Sequence, residues 1–181
     1  MVMIDDTIPV YTAGTKGHLI VCLHGAGHSA LTFAALAEKL KPNNTVVAFD
    51  FRGHGRHFAK NEADLSQAEL IDETIKVLNF VETTHKNRSI ILLGHSMGGS
   101  IAAKVAYKIE QEMKDNVLCK AVCALFVIDV VEGTAMEALP FMEQIVHNRP
   151  IDFPDVISVI KYGLQSGQIK DKRSARVSMP D

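Results

Sequence analysis

Short uninterrupted apolar runs alternate along this chain with longer stretches whose apolar positions recur at helical spacing. The runs "HLIVCL" (18–23), "TVVAFD" (45–50), "SIILL" (89–93) and "AVCALFVID" (121–129) are rich in branched residues and predict strands. Between them, Leu31, Ala34, Ala35, Ala37 and Leu40 predict a helix over about 30–41. Ser66 and Glu69 have capping-box spacing and introduce a helix to about residue 84, with Leu70, Ile71, Ile75, Leu78 and Val81 as its inner stripe. Met97 to about Glu112 is the next helix. Strands that are apolar throughout and alternate with amphipathic helices indicate an α/β fold, with a mostly parallel sheet covered on both faces. Such sheets bind ligands at the carboxyl ends of their strands. The loops 24–29, 50–57, 94–99 and 129–134 all follow strands.

Beyond Asp129 the pattern changes. Helices are expected at about 134–147 and 154–165, separated by "NRPIDFP", with Gly167 as a stop signal and no strand from residue 130 onward. The chain therefore reads as one domain, with a core over 11–133, lid-like helices over 134–167 and a tail over 168–181.

With 47% apolar residues and a net charge of −2, the chain can bury a core and lacks the basic footprint of a nucleic-acid binder. The local cluster Lys170, Lys172, Arg173 and Arg176 reads as a solvated face. Asp5 and Asp6 stand where a secretory signal would be basic and then apolar, and "AVCALFVI" (121–128) is too short to span a bilayer. Cys22, Cys119 and Cys123 all lie in apolar, strand-like surroundings, which suggests buried thiols in a reducing, cytoplasmic or nuclear compartment. No second Cys/His pair accompanies Cys119 and Cys123 at zinc-like spacing, so no metal is expected.

One segment carries chemistry. Gly94-His95-Ser96-Met97-Gly98 fits G-x-S-x-G and lies between a predicted strand and a predicted helix. That turn exposes a serine hydroxyl at the sheet edge near a helix N-terminus, and small neighbours are needed for it to close. A serine becomes nucleophilic when a base takes its proton and N–H donors receive the oxyanion. Met97 N–H is one donor, and Ala26 N–H in "HGAG" is the other, with Gly25 and Gly27 permitting close approach. Asp129, ending the strand after the nucleophile helix, is the expected acid, and Glu132 is the alternative. Asp50 precedes the serine and is expected to organise the "DFRGHG" turn. The base is harder to find. His147, the one histidine after Asp129, is expected near a helix C-terminus, while His24, His28, His54, His57 and His95 all precede the acid.

The segments "IDVVEGTAMEAL" (128–139), "SGQI" (166–169) and "SARVSM" (174–179) resemble the protein phosphatase methylesterases, which are serine esterases of the α/β-hydrolase fold. The resemblance begins near Tyr11–Gly14 and runs through "HGAGHSAL", "DFRGHG", "DLS" (64–66) and "GHSMGG" to Met179. It implies removal of the methyl ester from the carboxy-terminal leucine of the protein phosphatase 2A catalytic subunit, without metal or organic cofactor. It matches Ser96 to the nucleophile and Asp129 to the acid, and puts the catalytic histidine downstream, after further strands. On this reading the chain is the central part of a longer hydrolase. The alternatives are a partial domain that binds phosphatase without turnover, and a small-ester hydrolase using a loop histidine.

Overall fold

The structure, a computed structural model, describes residues 1–58, 64–129, 140, 141, 144 and 147–180. Six strands form one sheet: β1 (Val2–Ile4), β2 (Ile8–Ala13), β3 (Leu19–Leu23), β4 (Thr45–Phe49), β5 (Ile90–His95) and β6 (Val122–Ile128), in the order β1-β2-β4-β3-β5-β6. β3, β4, β5 and β6 are parallel to one another, and β1 and β2 add an antiparallel edge.

The alternation of side chains across β3 explains why its run is apolar throughout. Leu19, Val21 and Leu23 join the core beneath α2 (Gln67–Thr84) and α3 (Met97–Glu112), together with Leu70, Val77, Ile101 and Val105. Ile20 and Cys22 point to the other face, against Ala30 and Phe33 and the following α1 (Ala34–Leu40). Burial also pushes the Cys22 thiol up to about 12. Both faces are covered, so a polar residue on β3 would be stranded. After β3 the chain builds β4 on one side and then β5 on the other. The order reverses at β3, and its carboxyl end and that of β5 form the crevice where such sheets bind ligands.

Several elements differ in detail from the sequence expectation. The helix expected over 30–41 opens as a 3-10 turn over Ala30–Phe33. That turn changes the angular phase, so Phe33, Leu36, Ala37 and Leu40 face the sheet and Ala35 is exposed. On α2 the fully buried stripe is Leu70, Thr74, Val77, Leu78 and Val81, with Ile71 and Ile75 only partly buried. Ser66 caps α2 as expected, accepting from Glu69 N–H. The core begins before residue 11, because Ile8 and Val10 of β2 are buried. The thiols are not uniformly buried either: Cys119 lies in the short helix α4 (Val117–Ala121) and Cys123 is exposed on β6. β6 itself is not covered on both faces. Phe126, Val127 and Ile128 are exposed, and among the described residues β6 pairs only with β5.

Beyond Asp129, α5 (Val156–Gln165) is capped by Asp155, and Gly167 takes a left-handed φ of 77° just after it. The segment expected as a tail contains α6 (Lys172–Ser178), capped by Asp171 and seated on α1 through buried Ala175, with Arg173 paired to Glu38. Glu132 and most of the helix expected over 134–147 lie outside the described residues. No described helix is long and apolar enough to cross a membrane.

Candidate active site

Ser96 stands at the junction of β5 and α3 with φ 50° and ψ −120°. A non-glycine residue in that region costs about 1–3 kcal/mol, so the surrounding structure must hold it there. The glycines show how. A Cβ on Gly94 would stand 2.4 Å from Gly98 O, and one on Gly98 would stand 2.3 Å from Leu23 O. Those glycines let the first turn of α3 pack directly on the ends of β5 and β3. The Ser96 side chain makes no capping hydrogen bond. Met97 N–H lies in the first turn of α3, where helical N–H groups lack intrahelical acceptors and the helix dipole favours negative charge.

The loop after β3 approaches the same point. Gly25-Ala26-Gly27-His28 is a tight turn, closed by His28 N–H donating to Gly25 O at 3.2 Å and needing a left-handed φ of 71° at Gly27. A Cβ on Gly25 would lie 3.3 Å from Ser96 Cβ and 2.9 Å from His95 Nδ1. Backbone therefore borders the serine directly, with exposed Ala26 the next residue.

The acid expected from sequence is also nearby. Ser96 N–H donates to Ile128 O at 2.9 Å, and Asp129 follows at once, exposed and with a φ of 54°. Asp50 has the separate task expected of it. Its buried carboxylate accepts from Ala30 N–H at 2.7 Å and Arg56 N–H at 3.1 Å, fastening the loops after β3 and β4 together. A side chain at Gly55 would collide with that carboxylate.

Of the loop histidines His24, His28, His54, His57 and His95, the first four are committed elsewhere. His24 is fully buried, with Nδ1 2.9 Å from Gly25 O and Nε2 accepting from Phe51 N–H at 3.0 Å. Burial holds its pKa down to about 3, so it is neutral and Nδ1 is the donor. His28 Nδ1 lies 3.3 Å from Thr32 Oγ1, and burial, His95 and Arg149 lower its pKa. His54 Nδ1 bonds Arg52 O, and His57 Nε2 lies 3.3 Å from Glu73 Oε1. The His95 ring packs against Gly25 and His28, with Nδ1 buried and unpartnered among the described residues. His147, near a helical C-terminus as expected, is exposed.

The chain matches the family described as serine aminopeptidase, S33 (Hydrolase_4) over residues 14–173. It belongs to that family. The solved structure of E-2-(acetamidomethylene)succinate hydrolase shares 23% identity with it, superimposing with a TM-score of 0.71 over 94% of this chain and 58% of its own. The thioesterase domain from the curacin biosynthetic pathway gives a TM-score of 0.66 at 18% identity, over 94% of this chain and 61% of its own. Both show the α/β-hydrolase fold. Among curated relatives, protein phosphatase methylesterase 1 of Bos taurus is 39% identical over 178 residues, covering 96% of this chain and 44% of that protein. The Homo sapiens protein of the same name is 39% identical over 96% of this chain and 43% of its own length. A probable methylesterase 1 of Caenorhabditis elegans is 37% identical over 97% of this chain and 46% of its own. The chain thus spans less than half the length of these relatives.

Sequence reasoning placed Ala26, the Ser96–Met97 pair and Asp129 on three loops, and the fold brings those loops to one sheet edge. It gave no role to Arg149, whose guanidinium lies against Gly27. An arginine before a proline in a linking segment carries no periodic signal, and only the tertiary contact reveals it.

Proposed function

We propose that this chain supplies the nucleophile, acid and oxyanion donors of a carboxylesterase that removes the methyl ester from the carboxy-terminal leucine of the protein phosphatase 2A catalytic subunit. The observation that carries this reading is the strained elbow at Ser96, bounded by the 25–28 turn on one side and the end of β6 on the other. The names of the methylesterase relatives support the substrate. Ser96 Oγ attacks the ester carbonyl, a histidine takes its proton, and the Met97 and Ala26 N–H groups receive the oxyanion. The tetrahedral adduct collapses, methanol leaves with that proton, and water then releases the leucine carboxylate. Asp129 orients the histidine and stabilises its charged form. The chemistry asks for no metal and no organic cofactor.

The histidine is the open position. His24, His28, His54 and His57 have other tasks, which disfavours a small-ester hydrolase built on a loop histidine. The resemblance puts the base downstream, and we assign it there in the whole protein. The same commitments favour a second reading for the 181-residue chain taken alone, as a phosphatase-binding domain without turnover. Methanol release from methylated phosphatase, by the whole protein and by this chain, tests both. Equal rates for the two would contradict the downstream base.

A further inference from the structure

Beside the turn that borders Ser96, a cavity of about 440 Å³ opens between the strand-end loops and the segment 149–179. Its lining includes Ser29, His28 and Thr32 from the stretch after β3, and Arg149, Phe153 and Tyr162 from the later segment. Gly27 and His28 in its wall belong to the same turn as Gly25, where a Cβ would stand 3.3 Å from Ser96 Cβ.

Arg149 and Ser29 both line the cavity. Arg149 Nη1 lies 3.0 Å from where a Gly27 Cβ would stand, so the missing side chain lets the cation sit on the turn. No carboxylate pairs with Arg149 among the described residues, and none of the described lining residues is acidic. The nearby Asp50 carboxylate is already held by the Ala30 and Arg56 N–H groups. Ser29 is only 4% exposed, and its Oγ has no hydrogen-bond partner among the described residues. A buried hydroxyl without a partner is costly, and a ligand that accepts from it removes that cost. The Phe153 and Tyr162 rings, 5.3 Å apart and tilted, give an apolar wall for a side-chain stem.

One guanidinium, one hydroxyl donor and an aromatic wall match a carboxylate on a short aliphatic stem. A phosphate dianion would ask for more than the one guanidinium among the described lining residues. We propose that this cavity is a subsite for an acidic side chain of the peptide substrate, upstream of the ester, with its carboxylate on Arg149 and Ser29. The assignment rests on the esterase reading of Ser96, which fixes where the peptide ends.

The test uses the Ser96→Ala chain and fluorescein-labelled hexapeptide leucine methyl esters, with a single Asp walked from the second to the fifth residue before the ester. Each is compared with its Asn counterpart by fluorescence anisotropy. At one position the Asp peptide binds about fivefold or more tighter, and added salt weakens that preference. Arg149→Gln brings the two peptides within about twofold, Ser29→Ala reduces the preference partly, and Arg149→Lys retains part of it. Equal binding of Asp and Asn at every position would overturn the subsite. So would a preference that survives in Arg149→Gln, or no binding of either peptide. Methanol release by the whole protein separates the two claims. Ser96-dependent release without any Asp preference removes the subsite and leaves the esterase. An Arg149-dependent preference without release removes the esterase and leaves the anion site.

Discussion

Ser96 N–H donates to the Ile128 carbonyl oxygen at 2.9 Å, closing the β5–β6 ladder at the point where both strands end. The residues on either side of that bond, Ser96 and Asp129, are both non-glycines with positive φ, 50° and 54°. Each such conformation costs about 1–3 kcal/mol, and here the cost is held by packing at the crevice. Nothing in forming a strand or a helix requires either residue to adopt it.

Strain at Ser96 has a measurable consequence. Ser96→Gly relieves it and raises stability by about 1 kcal/mol, whereas Ser96→Ala keeps a Cβ and with it the strain. Urea unfolding of the two variants checks this. Equal midpoints would mean that the elbow stores no such strain.

The glycines of the elbow are steric requirements. A Cβ on Gly98 meets Leu23 O at 2.3 Å and His24 O at 2.5 Å, both backbone atoms that cannot rotate away. Gly98→Ala therefore destabilises by more than about 2 kcal/mol, although alanine is the better helix former. Gly167→Ala, with no neighbour within 4 Å but a left-handed φ, costs about 1 kcal/mol. Denaturant midpoints that place Gly167→Ala as the more damaging change would contradict the packing described.

Burial of His24 sets a pH dependence. Its folded pKa of about 3 lies below its ordinary 6.5, so the unfolded chain binds the proton more readily. Stability from this group is complete above pH 6.5 and falls as the pH drops toward 3, by at most about 1.4 kcal/mol per unit. His24→Gln can keep both hydrogen bonds without titrating. Between pH 6.5 and 5 the unaltered chain loses about 1–2 kcal/mol more than this variant, read from urea unfolding at each pH. Parallel pH curves would contradict a buried neutral imidazole.

Glu73 of α2 anchors the loop after β4. Arg52 Nε and Nη2 donate to its Oε1 at 3.0 and 2.8 Å, and His57 Nε2 lies 3.3 Å away. Burial raises its carboxyl pKa, but the His57 and Arg52 contacts outweigh that and leave it below the usual range. Glu73→Gln puts a neutral amide in place of this carboxylate while Arg52 Nη2 keeps its Glu69 Oε2 partner at 2.8 Å, and its cost is about 1–3 kcal/mol by denaturant unfolding. A loss below about 0.5 kcal/mol would show that the cluster is solvent-screened.

The strands of the parallel core and the elbow were legible in the sequence because both obey local rules. An apolar run needs cover on both faces, and a serine between a strand and a helix needs glycines on each side. What escaped depended on longer range. Val2–Ile4 is too short and Ile8–Ala13 too mixed to declare themselves, and they are strands because β4 offers β2 an edge and β2 offers one to β1. Lys172–Ser178 reads as a charged tail until Ala175 is seen buried. The inner faces of α1 and α2 slipped because a 3-10 entry turn and a buried Thr74–Leu70 hydrogen bond shift what periodicity alone assigns. Arg149 and Ser29 gained meaning only from the cavity they share.

Ser96 is proposed here as the nucleophile of a phosphatase methylesterase. The most direct measurement of that role is methanol release from the protein phosphatase 2A catalytic subunit methylated at its carboxy-terminal leucine, incubated with the whole protein and with its Ser96→Ala and Asp129→Asn variants. The account predicts release by the unaltered protein, a loss of about a thousandfold or more in both variants, and no change in their folding. Release by Ser96→Ala at the unaltered rate would contradict it.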